Sequence, residues 1–381
     1  MHHVRRRRVF YIAGFDPRGA GHYHRLYRTH AKKQSDIGSL RFDVSLRERI
    51  SALVHGWRVR ADDDDGAGID TDVEFLVWDD IVRRHWNDSL TGVLSDFFFC
   101  LKAYLFTGLV GRYARACPRQ MIAGLYPALY IIFSLLSAGW LAFALAGYLL
   151  LHMPVLVAVV LAMAVGYGFL KLLFWLGGRL AVFWLMRIYA FSARWSQGAL
   201  PDVDARIHAF SDRILHALGE NDADEVLIVA HSVGTMLAIP AVAAVLRRMP
   251  QDAKLSLMTL GQCIPLISFQ PEAEKFRCDL DTVAQDARLS WADYTAPSDG
   301  ICFPQLDPVL SCGLERTEGS GPHVLSPRFF RLYTKGNYRR LKFKWYTMHF
   351  LYLMSTDVAG EYDYFAMTAG PKTLRARLGG M

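Results

Sequence analysis

The sequence predicts an α/β protein in which a mainly parallel β-sheet is flanked by helices and a two-helix membrane hairpin is inserted between the strands. Two observations predict this fold class. Short apolar runs rich in β-branched residues, such as residues 226–230, alternate with longer stretches of helical pattern, as buried parallel strands and their crossover helices do. In addition, residues 120–170 contain no Lys, Arg, Asp or Glu, and about 20 apolar residues suffice to cross a bilayer.

Composition favours a membrane-associated protein with reduced thiols. Apolar residues make up 52% of the 381 residues, mean hydropathy is +0.15 and the formal net charge is +7. A positive balance suits an anionic surface, and no aromatic-basic nucleic-acid motif accompanies it, so we expect a lipid bilayer rather than nucleic acid as the partner. The six cysteines show neither a Cys-x-x-Cys pair nor zinc spacing, and no nucleotide or flavin motif occurs. We therefore expect no metal and no cofactor.

The chain before the uncharged stretch predicts strands and one helix. We expect, in order, a strand at residues 8–13, a glycine-rich loop at 14–21, a helix at about 22–34, paired half-buried strands at 41–49 and 52–60, and a strand at 73–78. The acidic residues 62–68 predict a solvated turn, because they lack the regular ligand spacing of a calcium loop. Asp79 and Asp80 follow the last of these strands, and we expect them to be structural.

The uncharged stretch predicts two membrane-spanning helices joined by a short turn. A His-Met-Pro tripeptide at residues 152–154 interrupts the stretch, which places one helix near residues 126–151 and the other near 154–175. Before them, the aromatic-rich residues 97–106 predict a helix at the membrane interface. A pair of buried core helices is the alternative, but uncharged runs of this length are typical of membrane spans.

Basic residues on the flanks of the hairpin predict its orientation. Three arginines precede the hairpin and four basic residues follow the uncharged stretch, whereas the turn has none: Arg112, Arg115, Arg119, Lys171, Arg179, Arg187 and Arg194. Basic flanks stay in the cytoplasm, so we expect the α/β domain and both termini there. The strands on either side of the hairpin must also lie on one side of the membrane to join one sheet, and two spans satisfy that requirement. The sequence therefore predicts a multi-pass membrane protein with two spans.

The rest of the chain predicts further alternation of helices and strands. We expect helices at residues 201–219, 235–246 and 271–285, and strands at 226–231, 254–260, 289–294 and 328–333. The chain then divides into the N-terminal part of the α/β domain at 1–92, a membrane-associated insertion at 93–198, the C-terminal part of the α/β domain at 199–370 and a loose tail at 371–381.

One strand–turn–helix unit carries the strongest functional signal. Ser232 stands at a sharp turn between the strand at 226–231 and the helix at 235–246, with the small residues Ala230 and Gly234 on either side. Such a turn strains the serine backbone and exposes its hydroxyl to a base. The motif resembles the nucleophile elbow of the α/β-hydrolase family, Gly-x-Ser-x-Gly, with Ala230 in place of the first glycine. A buried serine in an ordinary turn is the alternative.

The resemblance covers roughly residues 8–78 and 201–353 and implies an α/β-hydrolase-like sheet with a catalytic triad. In that family the acid and then the histidine follow the nucleophile in the chain, on loops after late strands. By position, Asp299 matches the acid and His349 the base. Three competitors for these roles lie nearby in the chain: Asp293, Asp307 and His323.

The resemblance also implies an oxyanion hole. One donor would be the backbone N–H of Phe15, in the glycine-rich loop after the first strand, and the other that of Val233, directly after the nucleophile. A tight turn without a catalytic role is the alternative for the glycine-rich loop.

Together with the hairpin, the resemblance implies a membrane-anchored serine hydrolase. Such an enzyme would cleave an ester, thioester or amide of a lipid-like or hydrophobic acyl substrate through an acyl-enzyme on Ser232. A lipid acyltransferase would use the same residues with a different acceptor. A non-catalytic membrane protein of hydrolase fold, which binds a partner or lipid, is the alternative from another functional class.

Overall fold

The structure, a computed structural model, describes residues 4–62, 68–86, 89–317 and 319–379. Most of the predicted acidic turn, residues 63–67, lies outside the described residues. The strands are β1 (Arg6–Ile12), β2 (Arg41–Val44), β3 (Glu48–Arg49), β4 (Val54–Asp62), β5 (Gly68–Leu76), β6 (Glu225–His231), β7 (Leu255–Leu260), β8 (Leu289–Tyr294) and β9 (Pro322–Leu325). The helices are α1 (Gly19–Ser35), α2 (Asp79–Arg84), α3 (Leu90–Cys100), α4 (Leu109–Ala116), α5 (Pro118–Leu149), α6 (Val155–Arg179), α7 (Val182–Ser196), α8 (Pro201–Glu220), α9 (Gly234–Leu246), α10 (Pro265–Ser268), α11 (Glu274–Gln285), α12 (Phe329–Leu332), α13 (Lys335–Leu341), α14 (Trp345–Phe350), α15 (Tyr364–Ala369) and α16 (Leu374–Leu378).

These strands form one mixed sheet in the order β2-β4-β5-β1-β6-β7-β8-β9, with β3 also paired to β4. The central strand β1 runs parallel to β5 and to β6, and the pairs from β6 to β9 are parallel as well. Only the pairs that involve β4 are antiparallel within the described residues. The prediction of a mainly parallel sheet flanked by helices is therefore confirmed, whereas the α/β-hydrolase assignment stays a prediction.

Both faces of the sheet are buried, because alternate residues of a strand point to opposite sides. In β1, Phe10 and Ile12 enter one hydrophobic core, and Val9 and Tyr11 enter the other. Helices α8, α9 and α11 contribute to the first core, and α1 and α15 contribute to the second. Burial on both faces explains why strands such as β6 are apolar throughout.

An insertion between β5 and β6 contains the membrane hairpin. Among the described residues, α5 and α6 are the two single helices long and apolar enough to cross a membrane. They pack closely because small residues face each other: a Cβ added to Gly166 would lie 2.8 Å from the Cβ of Ala142. Large apolar side chains on their outer faces, such as Trp140 and Phe143, are 71% and 80% exposed. The prediction of two candidate spans is thus confirmed, with helix bounds shifted by a few residues.

The predicted interfacial helix belongs to a bent pair of apolar helices. α3 continues through a π-helical turn at Leu101–Leu105, and the chain bends by 74° before α4. Gly108 lies at the bend with φ +76°, a conformation that glycine adopts without strain because it has no Cβ. Phe97 is buried, whereas Phe98 and Phe106 are exposed. The bent pair of α3 and α4 thus has apolar side chains both in the protein core and on the protein surface.

The predicted strand at residues 328–333 is wrong. Residues 329–332 form the single helical turn α12, and the last strand is β9. Arg328 has φ +49°, which ends the extended chain, and Phe329 and Leu332 then bury side chains three residues apart on one side of a helical turn. We did not predict β9 because proline is rare in strands. Pro322 is accepted here because it occupies the first position of an edge strand.

The tail that we expected to be loose packs on the sheet as far as it is described. The guanidinium of buried Arg7 donates hydrogen bonds to the main-chain oxygens of Gly370 and Lys372, both at 2.8 Å. Arg7 also pairs with Glu225 at 2.7 Å. The start of the tail is therefore attached to the amino-terminal ends of β1 and β6.

Candidate active site

Ser232 lies at a tight turn between β6 and α9. Its φ is +56°, in the left-handed region that residues with a side chain rarely adopt. Gly234 passes directly over the end of β1, where a Cβ would lie 2.4 Å from Ile12 O and 2.5 Å from Ala13 O. Ala230, fully buried in β6, pairs with Ile12 of the neighbouring strand. Close backbone approach therefore explains the small residues on both sides of the serine.

The loop after β1 lies beside Ser232, because β1 and β6 are adjacent parallel strands. A Cβ added to Gly14 would lie 2.9 Å from the Cβ of Ser232. The carbonyl of Phe15 accepts a hydrogen bond from the indole N–H of Trp184 at 2.9 Å, which holds this loop. The backbone N–H groups of Phe15 and Val233 donate to no acceptor in the described part of the chain. Both predicted oxyanion donors thus lack a protein acceptor there.

Asp299 and His349 form a buried pair. The Nδ1 of His349 lies 2.8 Å from Oδ2 of Asp299, and both side chains are fully buried. The backbone N–H of Ile301 and the hydroxyl of Tyr352 also donate to this carboxylate, each at 3.1 Å. Burial alone would raise the pKa of Asp299, but the adjacent His349 ring, the N–H of Ile301 and the Cys302 thiol lower it below its ordinary value. Asp299 is therefore ionised and orients the imidazole.

The other ring nitrogen of His349 is available for proton transfer. His349 Nε2 is buried and has no hydrogen-bond partner among the described residues. Ser232 and His349 line the same cavity of about 350 Å³, although no direct hydrogen bond joins them. Gly261, at φ +55°, leaves room for the pair, since a Cβ there would lie 3.2 Å from His349 Cε1. The structure thus brings Ser232 and His349 to one cavity, and Asp299 is hydrogen-bonded to His349 behind it.

The three competing residues lie elsewhere. Asp293 is buried in β8, where the hydroxyl of Thr259 donates to it at 2.7 Å, and burial raises its pKa to about 8. Asp307 accepts the backbone N–H groups of Val309 and Leu310 and thereby caps a short helical turn. His323 is exposed on the edge strand β9. Unlike Asp299, neither Asp293 nor Asp307 is hydrogen-bonded to His349 in the described structure, and His323, unlike His349, does not line the cavity of Ser232.

A second histidine, His231, is hydrogen-bonded to the backbone of His349. His231 Nε2 lies 2.8 Å from the main-chain oxygen of His349. A carbonyl oxygen only accepts, so Nε2 carries the proton and donates. Burial lowers the pKa of His231 to about 3, so the ring is neutral near pH 7. This hydrogen bond from His231 therefore fixes the backbone of His349, whose side chain is paired with Asp299.

A buried thiol lies next to the serine. Cys263 Sγ is 3.9 Å from Ser232 Oγ. Burial raises the pKa of this thiol to about 12. The thiol is therefore protonated near pH 7 and is a poor nucleophile compared with a thiolate.

The cavity is lined partly by the base of the membrane hairpin. Its lining includes Gly178 and Arg179 at the end of α6, together with Trp184 of α7. Arg18, also in the lining, forms a two-point ion pair with Asp16 at 2.5 to 2.9 Å. In the described part of the chain, no group of three or more His, Cys, Asp or Glu side chains could hold a metal ion. The cavity thus combines apolar walls near the membrane with a few charged groups.

Comparison of the chain with protein-family models, with curated proteins and with solved structures finds no match in any of the three. Any function therefore rests on the geometry of the site itself. The roles of Ser232, Asp299, His349, Phe15 and Val233 stay predictions.

Sequence reasoning missed several residues that build the site. Tyr352, His231 and Gly261 hold or make room for the histidine–aspartate pair. Their roles depend on contacts between distant parts of the chain, which no local pattern shows. Gly14 was signalled only as one glycine of a glycine-rich loop, and its approach to Ser232 follows from the adjacency of β1 and β6.

Proposed function

We propose that the protein is a membrane-anchored serine hydrolase of α/β-hydrolase type. One observation carries this proposal: His349 lines the same cavity as Ser232, its Nδ1 is hydrogen-bonded to Asp299, and its Nε2 is unpartnered among the described residues. A serine hydroxyl is a weak nucleophile until a base removes its proton, and the base needs an acid to fix its tautomer. The site supplies each of these groups.

In the proposed reaction, Ser232 Oγ attacks the carbonyl carbon of an ester and its proton passes to His349 Nε2. Asp299 holds Nδ1 of the imidazole and stabilises the imidazolium that forms. The bond to the leaving alcohol then breaks, and the alcohol takes the proton from Nε2. Water repeats the sequence on the acyl-enzyme: His349 accepts a proton of the attacking water and returns it to Ser232 Oγ as the bond between Oγ and the acyl carbon breaks and the acid leaves.

The negative oxygen of the tetrahedral intermediate needs preorganised donors. The N–H groups of Phe15 and Val233, which have no acceptor in the described structure, are the proposed pair. Each such donor contributes about 3 kcal/mol to transition-state stabilisation. Val233 also directly precedes α9, whose N-terminal dipole favours negative charge at this position.

The location of the cavity supports a lipid-like substrate. Its lining includes the end of α6, one of the two candidate spans, and Trp184. An ester that partitions into the bilayer would reach this part of the cavity along the membrane surface. We therefore propose a hydrophobic acyl substrate, with the α/β domain and both termini on the cytoplasmic side.

Hydrolysis of p-nitrophenyl esters of increasing acyl length by the detergent-solubilised protein tests this function. We expect turnover that rises with chain length and is lost in Ser232→Ala. A lipid acyltransferase would instead need an added alcohol or amine acceptor for turnover. Absence of ester cleavage and of acyl transfer by folded protein would favour the non-catalytic alternative.

A further inference from the structure

The segment between β9 and His349 is strongly basic and is not used by the proposed reaction. Seven cationic side chains occur between residues 319 and 356, and no Asp or Glu does: Arg328, Arg331, Lys335, Arg339, Arg340, Lys342 and Lys344. We call residues 328–346 the basic segment. It contains α12, α13 and the start of α14.

Among the described residues, six of the seven cationic side chains of the basic segment have no acidic partner. Only Arg328 forms an ion pair with a described residue, Glu361, at 3.4 Å. All seven cationic side chains are exposed. An uncompensated cluster of this kind repels itself and is stabilised by an anionic surface.

Exposed aromatic side chains alternate with these cations. Phe330 is 58% exposed, Phe343 75%, Trp345 47% and Tyr346 43%. Aromatic rings with an apolar body and basic residues together are typical of elements that lie at a membrane–water interface.

The basic segment lies beside the base of the hairpin. The ring of Trp345 is 6.3 Å from that of Tyr126 in α5. The hydroxyl of Tyr126 in turn donates to the main-chain oxygen of Leu180, directly after α6, at 3.3 Å. Trp345 thus contacts the hairpin near the start of α5 and the end of α6, which is the end of the hairpin joined to the α/β domain, where we expect lipid headgroups.

We propose that the basic segment docks on the anionic lipid headgroups of the same bilayer that the hairpin spans. The inference rests on the membrane topology of the proposed function and not on its chemistry. Each Lys or Arg near an anionic membrane surface strengthens binding roughly fivefold. The segment leads directly into α14, which carries His349, so docking fixes the element on which the proposed base lies.

Hydrogen–deuterium exchange of the full-length protein in lipid nanodiscs tests the docking without any use of catalysis. One set of nanodiscs contains phosphatidylcholine alone, and the other contains equal amounts of phosphatidylcholine and phosphatidylglycerol. We expect the amides of residues 335–344 to exchange roughly fivefold or more slowly with the anionic lipid. Equal exchange in both lipids would overturn the proposal.

A variant with four substitutions, Arg339→Gln, Arg340→Gln, Lys342→Gln and Lys344→Gln, should lose this difference between lipids. The matched control removes four exposed charges that lie directly before β1 and β7 and in the last turn of α1: Arg5→Gln, Lys254→Gln, Lys32→Gln and Lys33→Gln. The control should keep the difference, and loss in both variants would contradict a local contact. The double variant Arg339→Gln, Arg340→Gln should lose part of it, and unchanged exchange of β6 amides reports that each variant is folded. Ester cleavage measured in parallel separates failure of docking from failure of the proposed chemistry.

Discussion

Asp299 and Asp293 are both buried, but their hydrogen-bond donors differ, so the two carboxyl groups are suited to different roles. Asp299 accepts hydrogen bonds from His349, Ile301 and Tyr352, and its pKa is lowered. Asp293 has the single hydroxyl of Thr259 as its donor among the described residues, and burial raises its pKa to about 8. Only the first is suited to hold an imidazolium.

Replacing each carboxylate by its amide should separate these roles. In Asp299→Asn, the amide nitrogen donates to His349 Nδ1 and favours the tautomer with the proton on Nε2, which cannot accept one from Ser232. We expect labelling of Ser232 by a fluorophosphonate to slow by on the order of 10²–10⁴. Asp293→Asn should label at the wild-type rate, and the reverse order of effects would assign the acid to Asp293.

The raised pKa of Asp293 also predicts a pH dependence of stability. Between its unfolded value of 3.8 and its folded value of about 8, the folded state holds a proton that the unfolded state releases. Stability contributed by this group therefore falls as pH rises through that window and levels off above it. The loss of melting temperature from about pH 5 to about pH 8 should be smaller in Asp293→Asn than in wild type. An equal loss in both proteins would show that Asp293 is ionised in the folded state.

His231 should act as a positioning residue through its hydrogen bond to the main-chain oxygen of His349. His231→Gln keeps a donor at a similar distance, whereas His231→Leu leaves a buried carbonyl unpaired, at a cost of about 1–3 kcal/mol. We expect labelling of Ser232 to fall at least roughly tenfold in the Leu variant and to be largely rescued in the Gln variant. Equal labelling of both variants, with equal melting temperatures, would contradict a positioning role for His231.

At the scale of elements, the membrane hairpin offers a matched pair of glycines. A Cβ on Gly166 would meet Ala142 and the main-chain oxygen of Ala138 at 2.8 and 3.1 Å, whereas one on Gly168 would meet nothing within 4 Å. Gly166→Leu should push α5 and α6 apart and destabilise the protein by about 1–3 kcal/mol. Gly168→Leu, which faces outward, should change the melting temperature much less. Similar destabilisation by both would contradict this packing.

The elements that could be predicted from sequence are those that depend on local patterns. The uncharged stretch predicted α5 and α6, and the small residues around Ser232 predicted a tight turn between β6 and α9. The edge strand β9 and the helical turn α12 were missed, because a proline, a left-handed Arg328 and tertiary burial of Phe329 override the local preference. The pairing of Asp299 with His349 was proposed by resemblance and needed the fold to show that the two side chains meet.

At the scale of the whole molecule, the sheet is assembled from strands on both sides of the hairpin insertion. β1 and β5 precede α5 in the chain, β6 follows α6, and β1 pairs with both β5 and β6. The α/β domain therefore lies on one side of any membrane that the hairpin crosses. Basic flanks favour the cytoplasmic side.

Accessibility of thiols tests this topology. Cys278 is the exposed native cysteine in the described part of the α/β domain, and Met153 lies in the turn between the spans. On intact spheroplasts, a membrane-impermeant maleimide should label Met153→Cys in a Cys278→Ser background but not the wild type. After lysis, wild type should label as well. Labelling of Cys278 before lysis would show that the α/β domain lies outside the cell and would contradict the predicted orientation.

The most direct test of the central claim, that Ser232 is an activated nucleophile served by His349, is fluorophosphonate labelling of the solubilised protein. We predict that wild type labels, that Ser232→Ala does not, and that His349→Ala labels slower by at least on the order of a hundredfold. His323→Ala, the exposed competitor, should label as wild type does. Folded wild type that never labels, or Ser232→Ala that still labels, would contradict the account.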